Sequence, residues 1–279
     1  MIEISQEQAI EIRKDLLDNF NQLCKEHGLK YSLAYGTFLG AVRHGGMIPW
    51  DDDIDLIMPR SDYEKLCAMY LARNCAEKYQ FVSHHNHPEV KTKIGYYIDY
   101  STITETAGKR NAYHGIHIDI YPLDILPNGR LQQKFLFLKR KLFHFVIKAK
   151  NVHPEVLKGS QKLIRMIVKL VFAPIPSDFA YKCLHNVSKQ YMSVADSERN
   201  TVCCLVESGK PICFPYQVST QYAMYDYEGK QYPAFADYDA PLRAWYGEYM
   251  TLPPVEQRIR PQHKHVRYYY KDQNNEKSV

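Results

Sequence analysis

This 279-residue chain has only 2 Trp against 23 Tyr and 11 Phe, so its rings are mostly of the kind that pack while a hydroxyl stays wet. No stretch reaches the ~18 uninterrupted apolar residues of a membrane span, so none is expected. The amino-terminal run lacks the basic flank and apolar core of a secretory signal, which leaves a cytoplasmic location as the expectation. Its 7 cysteines are odd in number and contain no C-x-x-C, which disfavours a disulfide framework and a zinc ribbon alike and fits a reducing compartment. Internal repeats and low-complexity tracts are also missing. What is present, 45% hydrophobic residues, is enough to bury one large domain, with or without a helical appendage.

The net charge of +5 is unevenly placed. From Arg130 to Lys169 there are eleven Lys and Arg against one acid, Glu155, so the rest of the chain carries a net −5. The basicity is a local patch.

Along the chain, Ser5 to His27 has apolar residues at helical spacing, with Ser5 and Gln8 as a capping pair and Gly28 as the stop. Tyr31 to Ala34 reads as a strand, Thr37 to His44 as a short helix, Ile54 to Met58 as a strand and Ser61 to Cys75 as a helix. Strands are expected at Phe81 to Ser83, Lys91 to Tyr97, Ser101 to Thr106 and Gly115 to Ile120. Asn128 to Ala195 reads as two or three helices broken at Pro154 and at Pro174 to Pro176. After it come strands at Gln217 to Tyr225 and Lys230 to Tyr232, and a helix near Asp239 to Tyr246. The order predicts an α/β or α+β fold, a mixed sheet core with an added helical layer. Its expected parts are a catalytic core (1–127), a basic helical block (128–200), a C-terminal α/β portion completing the site (201–271) and a flexible tail (272–279).

The chemistry concentrates in Asp51, Asp52, Asp53 and Asp55, between Pro49-Trp50 and Leu56-Ile57-Met58. Alternation along a strand puts Asp53 and Asp55 on one face and Ile54 and Leu56 on the other. Two carboxylates held that close call for a cation, and hard oxygen ligands suit Mg²⁺ or Mn²⁺. Asp119, in Ile118-Asp119-Ile120, is the best third ligand; Asp124 and Asp99 are weaker alternatives.

Gly36-Thr37 opens a short helix 16 residues before Asp53. A glycine lets a phosphate approach the backbone, free amides at a helix start favour an anion, and Thr37 adds a hydroxyl; Arg43 could reach the same phosphate. Trp50 either stacks on a base or anchors its turn. His117 shares a face with Asp119 and either lines the pocket or plays a structural part. His84, His85 and His87 read as a histidine-rich surface loop rather than a metal site.

The run Tyr35 to Leu56, YGTFLGAVRHGGMIPWDDDIDL, resembles the hallmark segment of the LicD family of phosphocholine transferases, which includes distant fukutin-type relatives. The likeness extends to Lys91-Thr92-Lys93-Ile94, to His117 through Asp124, and to Tyr246-Gly247, Leu252-Pro253-Pro254 and His263. It implies a nucleotidyltransferase-like fold and a Mg²⁺-dependent transfer of phosphocholine, or a similar phospho-alcohol, from CDP-choline or another CDP-alcohol. The acceptor would be a hydroxyl of a cell-surface glycan precursor: teichoic acid, lipopolysaccharide or capsule, possibly lipid-linked. By the same resemblance Asp53, Asp55 and Asp119 are the catalytic metal ligands, Gly36-Thr37 the phosphate turn, Lys93 a phosphate or nucleotide contact, and His263 a residue closing over the donor.

Other classes stay open at this point. The metal site alone also fits a nucleotidyltransferase acting on a small molecule or RNA, and a non-catalytic nucleotide-binding or membrane-surface module is a third reading. The basic helices fit either an anionic membrane at the inner face or a solvated basic side on a core-facing helix. Nucleic acid is not expected, because no recognised module accompanies the charge.

Overall fold

The computed structural model describes residues 1–71, 77–106, 109–111, 115–151, 170–172, 174–258 and 266–271. Within it, α1 (Gln6–His27) starts as its spacing predicts: the Ser5 hydroxyl accepts the Gln8 amide while the Gln8 side chain accepts the Ser5 amide. Such a box is worth about 1 kcal/mol. Gly28 ends the helix at φ 62°, a left-handed value that costs a glycine nothing. The helix buries Leu16, Leu17, Phe20 and Cys24 against the central sheet.

That sheet is built on two parallel neighbours, β3 (Asp55–Pro59) and β8 (His117–Ile125), in the register Asp55 opposite Asp119 and Ile57 opposite Tyr121. The short β2 (Ser32–Leu33) runs antiparallel to β3 on its outer side. The other edge of β8 is shared. Its first half pairs with β5 (Gly95–Asp99), itself paired with β4 (Tyr79–Val82), and its last residues pair with β9 (Thr201–Cys203), which carries β10 (Cys213–Pro215). The helix α2 (Tyr35–His44) lies between β2 and β3 in the chain, and α3 (Arg60–Leu71) follows β3 directly. The fold is α/β with a mixed sheet.

The strand expected to stop at Ile120 continues to Ile125 across Pro122. Amide directions alternate along β8. Asp119 donates toward β3, to the Ile54 carbonyl, so the missing N–H of Pro122 points at the opposite edge. There it falls between the last β5 partner, Ile120, and the first β9 partner, Asp124, where no strand would accept it. Two expected strands start several residues after their patterns do. The Thr92 hydroxyl accepts the Ile94 amide and donates to the Ile94 carbonyl, a side-chain turn that delays β5 until Gly95. Likewise Tyr216–Ser219 form a 3₁₀ turn whose carbonyls accept the Ser219 and Thr220 hydroxyls, so β11 begins only at Tyr222.

Strand β11 (Tyr222–Tyr227) forms a hairpin with β12 (Lys230–Phe235). A separate sheet has the order β1 (Glu3–Ile4), β13 (Val266–Tyr270), β6 (Thr102–Thr106), β7 (Lys109–Asn111). The helical layer is α4 (Arg130–Asn151) and α5 (Ser177–Ser188), which bury Val146, Ile147, Ala180, Tyr181 and Leu184 together with Cys204 and Val206. Last comes α6 (Asp239–Tyr246), with the bounds its pattern predicts. Residues 72–75 of the expected third helix, the Pro154 break, His263 and the 272–279 tail lie outside the described residues.

Candidate active site

The amino ends of β3 and β8 bring the acids together. On β8, His117, Asp119 and Tyr121 share the half-exposed face while Ile118 and Ile120 are buried, which is the alternation the sequence predicts. The parallel register sets Asp119 beside Asp55. Asp53 differs from expectation. It lies outside β3, which begins at Asp55, so strand alternation does not set its direction. Asp53 instead groups with its neighbours: Asp51, Asp52 and Asp53 can each offer a carboxylate oxygen with all three within 4.8 Å of one another.

The five acids act on one another. Burial first, then the charges of Asp53, Asp119, Asp51 and Glu207, hold Asp55 well above the usual carboxylate range. Burial and the adjoining Asp53 carboxyl push Asp51 up to about 8. Such a set is costly with all members ionised and becomes favourable when a divalent cation sits among the oxygens. The donors are all carboxylates, which is the chemistry of a Mg²⁺ or Mn²⁺ site.

The helix start faces this cluster. Ala34 caps α2 with extended backbone and no side-chain hydrogen bond, leaving the first amides of the helix without a capping oxygen. Tyr35 has φ 45°, a left-handed value unfavourable for a residue with a Cβ, and strain of this kind collects at functional sites. A Cβ on Gly36 would run into Asp51 Oδ2, so only glycine lets that carboxylate lie against the helix end. Thr37 is buried, and its hydroxyl oxygen accepts the Asp55 amide at 2.8 Å. Thr37 thus ties the start of α2 to the start of β3.

Cations and rings line the approach. Lys93 donates to Ser208 Oγ, and burial followed by Arg140 lowers its pKa. Arg43 donates to the Tyr249 carbonyl; burial lowers its pKa, and the Arg258 charge adds to the lowering. The Arg258 guanidinium lies over the Trp50 ring, 5.2 Å from its centroid, and His44 meets the same ring edge-on at 5.8 Å. Tyr246 joins this group to the acids: burial, then Asp55, Asp51, Asp53 and Glu207, raise its pKa. His117 Nε2 stands 3.5 Å from Asp119 Oδ1, and its Nδ1 lies 2.8 Å from the Gly115 carbonyl, which can only accept. That bond puts the ring proton on Nδ1 in the neutral tautomer.

Glu207 escaped the sequence reading. It stands in the loop after β9, accepts the Tyr35 hydroxyl at 2.8 Å, and joins Asp53, Asp119 and Asp51 as a fourth acid acting on Asp55. Arg140 of α4 positions that loop by donating to the carbonyls of Leu205, Gly209 and Glu207. The available signal was a lone acid before Ser208-Gly209, too common a turn to single out. A cleft of about 380 Å³ opens at the far ends of the same strands, beside Pro59, Arg60 and Leu123, but it contains none of these acids. Chemistry, not volume, marks the site.

Residues 28–158, which hold every one of the clustered aspartates, match the model of the LicD/FKTN/FKRP nucleotidyltransferase domain. Over 89% of this chain and 92% of the relative's, the sequence is 24% identical to the lipopolysaccharide cholinephosphotransferase LicD of Haemophilus influenzae. Residues 28–158 are a LicD-type nucleotidyltransferase domain. A shorter match, 39% identical over 59 residues, links it to an uncharacterized protein of Rickettsia typhi, covering 21% of this chain and 19% of that one. The LicD domain model ends at residue 158, whereas Glu207, Tyr246 and Arg258 come from beyond it. Segments beyond the LicD-type domain therefore stand beside its aspartates.

Proposed function

We propose that this chain transfers phosphocholine, or a closely similar phospho-alcohol, from a CDP-activated donor to a hydroxyl of a cell-surface glycan precursor such as lipopolysaccharide, teichoic acid or capsule. The observation that carries the reading is the crowding of Asp51, Asp52 and Asp53 within 4.8 Å, with Asp55 and Asp119 behind them, in a LicD-family domain. The likeness to a cholinephosphotransferase of Haemophilus influenzae supports the choice of group and acceptor.

Asp51, Asp52, Asp53, Asp55 and Asp119 are the residues that would hold Mg²⁺ or Mn²⁺. A cation bound there supplies neutralisation of the phosphoryl oxygens and alignment of the donor. Lys93 and Arg43 bind donor phosphates and offset the charge that builds as the reaction proceeds. The Trp50–Arg258 stack is the surface offered to the cytosine ring. The acceptor oxygen forms a bond to the phosphorus on the alcohol side of the diphosphate, and the bond from that phosphorus to the bridging oxygen breaks, so CMP leaves with the electron pair. The acceptor proton passes to the Asp119–His117 pair, whose Nε2 is free of the ring proton.

The test is incubation with CDP-choline, Mg²⁺ and candidate glycans, followed by detection of CMP and of choline on the glycan. Asp53→Asn should keep the fold and lower turnover by about 10³-fold or more. Near-wild-type turnover from that variant refutes the metal assignment. Incorporation of the nucleotide itself in place of the alcohol would mark a nucleotidyltransferase instead.

A further inference from the structure

Helix α4 has two apolar faces, and the fold uses one of them. Leu136, Val146 and Ile147 are buried with α5 and the 204–206 segment. Leu131, Phe135, Leu138, Leu142 and Phe145 are instead 45% to 69% exposed. At 3.6 residues per turn these five fall within an arc of about 80°, a continuous stripe along nearly the full length of the helix. Large apolar side chains in such a line are uncommon on a soluble surface and mark an interaction face.

Charge says what the face fits. The 22 residues of α4 contain no Asp or Glu. Exposed lysines border the stripe, with Lys139 on one side and Lys134, Lys141 and Lys148 on the other. Their apolar stems can lie along the stripe while the ammonium groups reach outward, the arrangement that seats a helix in a lipid interface among anionic headgroups. Leu170 and Val171, near in sequence to α5, are exposed as well. A partner of opposite charge and apolar interior matches both properties; a second copy of this helix would set lysines against lysines.

We infer that α4 docks the protein on an anionic membrane surface, with the Leu131–Phe145 stripe in the acyl–headgroup boundary and the flanking lysines on lipid phosphates. The opposite side of the helix carries Arg140, which grips the carbonyls of Leu205, Gly209 and Glu207 beside the candidate site. Docking therefore fixes the catalytic mouth at a set distance from the bilayer. The inference does not depend on which group is transferred.

Flotation of the full chain with vesicles of phosphatidylcholine alone, or with added phosphatidylglycerol, tests it without donor or acceptor. Binding should appear with the anionic vesicles and fall with rising salt. Substituting Lys134→Gln, Lys139→Gln and Lys141→Gln together should weaken it about a hundredfold. Phe135→Ser with Leu142→Ser should abolish it while circular dichroism and melting stay as in wild type, because both positions are exposed. Absence of binding to anionic vesicles, or equal binding by the variants, overturns the proposal. So does a wild-type dimer in sedimentation that Phe135→Ser dissolves without any vesicle binding, which would assign the stripe to a second copy.

Discussion

Two buried aspartates on adjacent strands, Asp55 and Asp124, have opposite surroundings. Asp124 sits near the end of β8, where Arg60 Nε donates to its Oδ1 at 2.6 Å and the Leu205 amide to its Oδ2 at 3.0 Å. Burial raises its pKa against the pull of Arg60, yet the short contact and the amide keep the carboxylate matched by a fixed cation. Asp55 sits at the other end of the paired strands, and the leading charges acting on it, Asp53, Asp119, Asp51 and Glu207, are all negative. A carboxylate with its cation built in holds the fold; one surrounded by acids needs its cation from solution. Sequence position does not distinguish them, but their neighbours do.

The comparison breaks if exchange of charge at the two places has the same result. Asp55→Asn should lower transfer by about 10³-fold or more while leaving the melting temperature unchanged or higher, because it removes a repelling charge. Asp124→Ala should do the reverse, costing about 3–5 kcal/mol of stability by stranding Arg60, with activity per folded molecule retained. Chemical denaturation and turnover on the same preparations separate the two.

Mg²⁺ sharpens the contrast. At about ten times its dissociation constant the ion should stabilise the wild type by about 1.4 kcal/mol, seen as a rise of a few degrees in melting temperature that a chelator reverses. Asp53→Asn should lose this rise and Asp124→Asn should keep it. Equal responses would place the cation elsewhere.

The smallest effect concerns the loop between the two regions. His144 donates from Nε2 to the Leu205 carbonyl at 3.1 Å, and burial lowers its pKa to about 4. An unfolded histidine titrates near 6.5, so between these values the unfolded chain takes up a proton that the folded chain refuses. The stability from this group is complete above pH 6.5, falls as the pH drops toward 4, and falls no further below that. Buried His185, its pKa lowered by burial and then Arg60, acts in the same direction. Melting temperatures from pH 7.5 to 5 should drop less steeply for His144→Gln than for wild type; parallel curves would remove His144 from the balance.

Much of this was legible before the fold. The Ser5–Gln8 box, the α6 bounds and the Asp119 alternation are local patterns, and local patterns survive folding. Strand alternation does not reach Asp53, because it starts only at Asp55 and the loop before β3 obeys no two-residue period. Glu207 was illegible because Arg140, 67 residues earlier in the chain, carries its loop to the site. In the sequence Arg140 is one more cation of a basic helix, and only its three carbonyl partners distinguish it.

Strand β13 lies between β1 and β6, and Tyr268 at its centre accepts a hydrogen bond from buried Arg13 of α1 at 2.8 Å. During synthesis, then, β1 emerges early but has no strand to pair with until β13 is made. The small sheet closes only after translation has passed it, so a nascent chain stalled before Val266 should leave β1 unpaired and Arg13 without its tyrosine, open to a chaperone in the meantime.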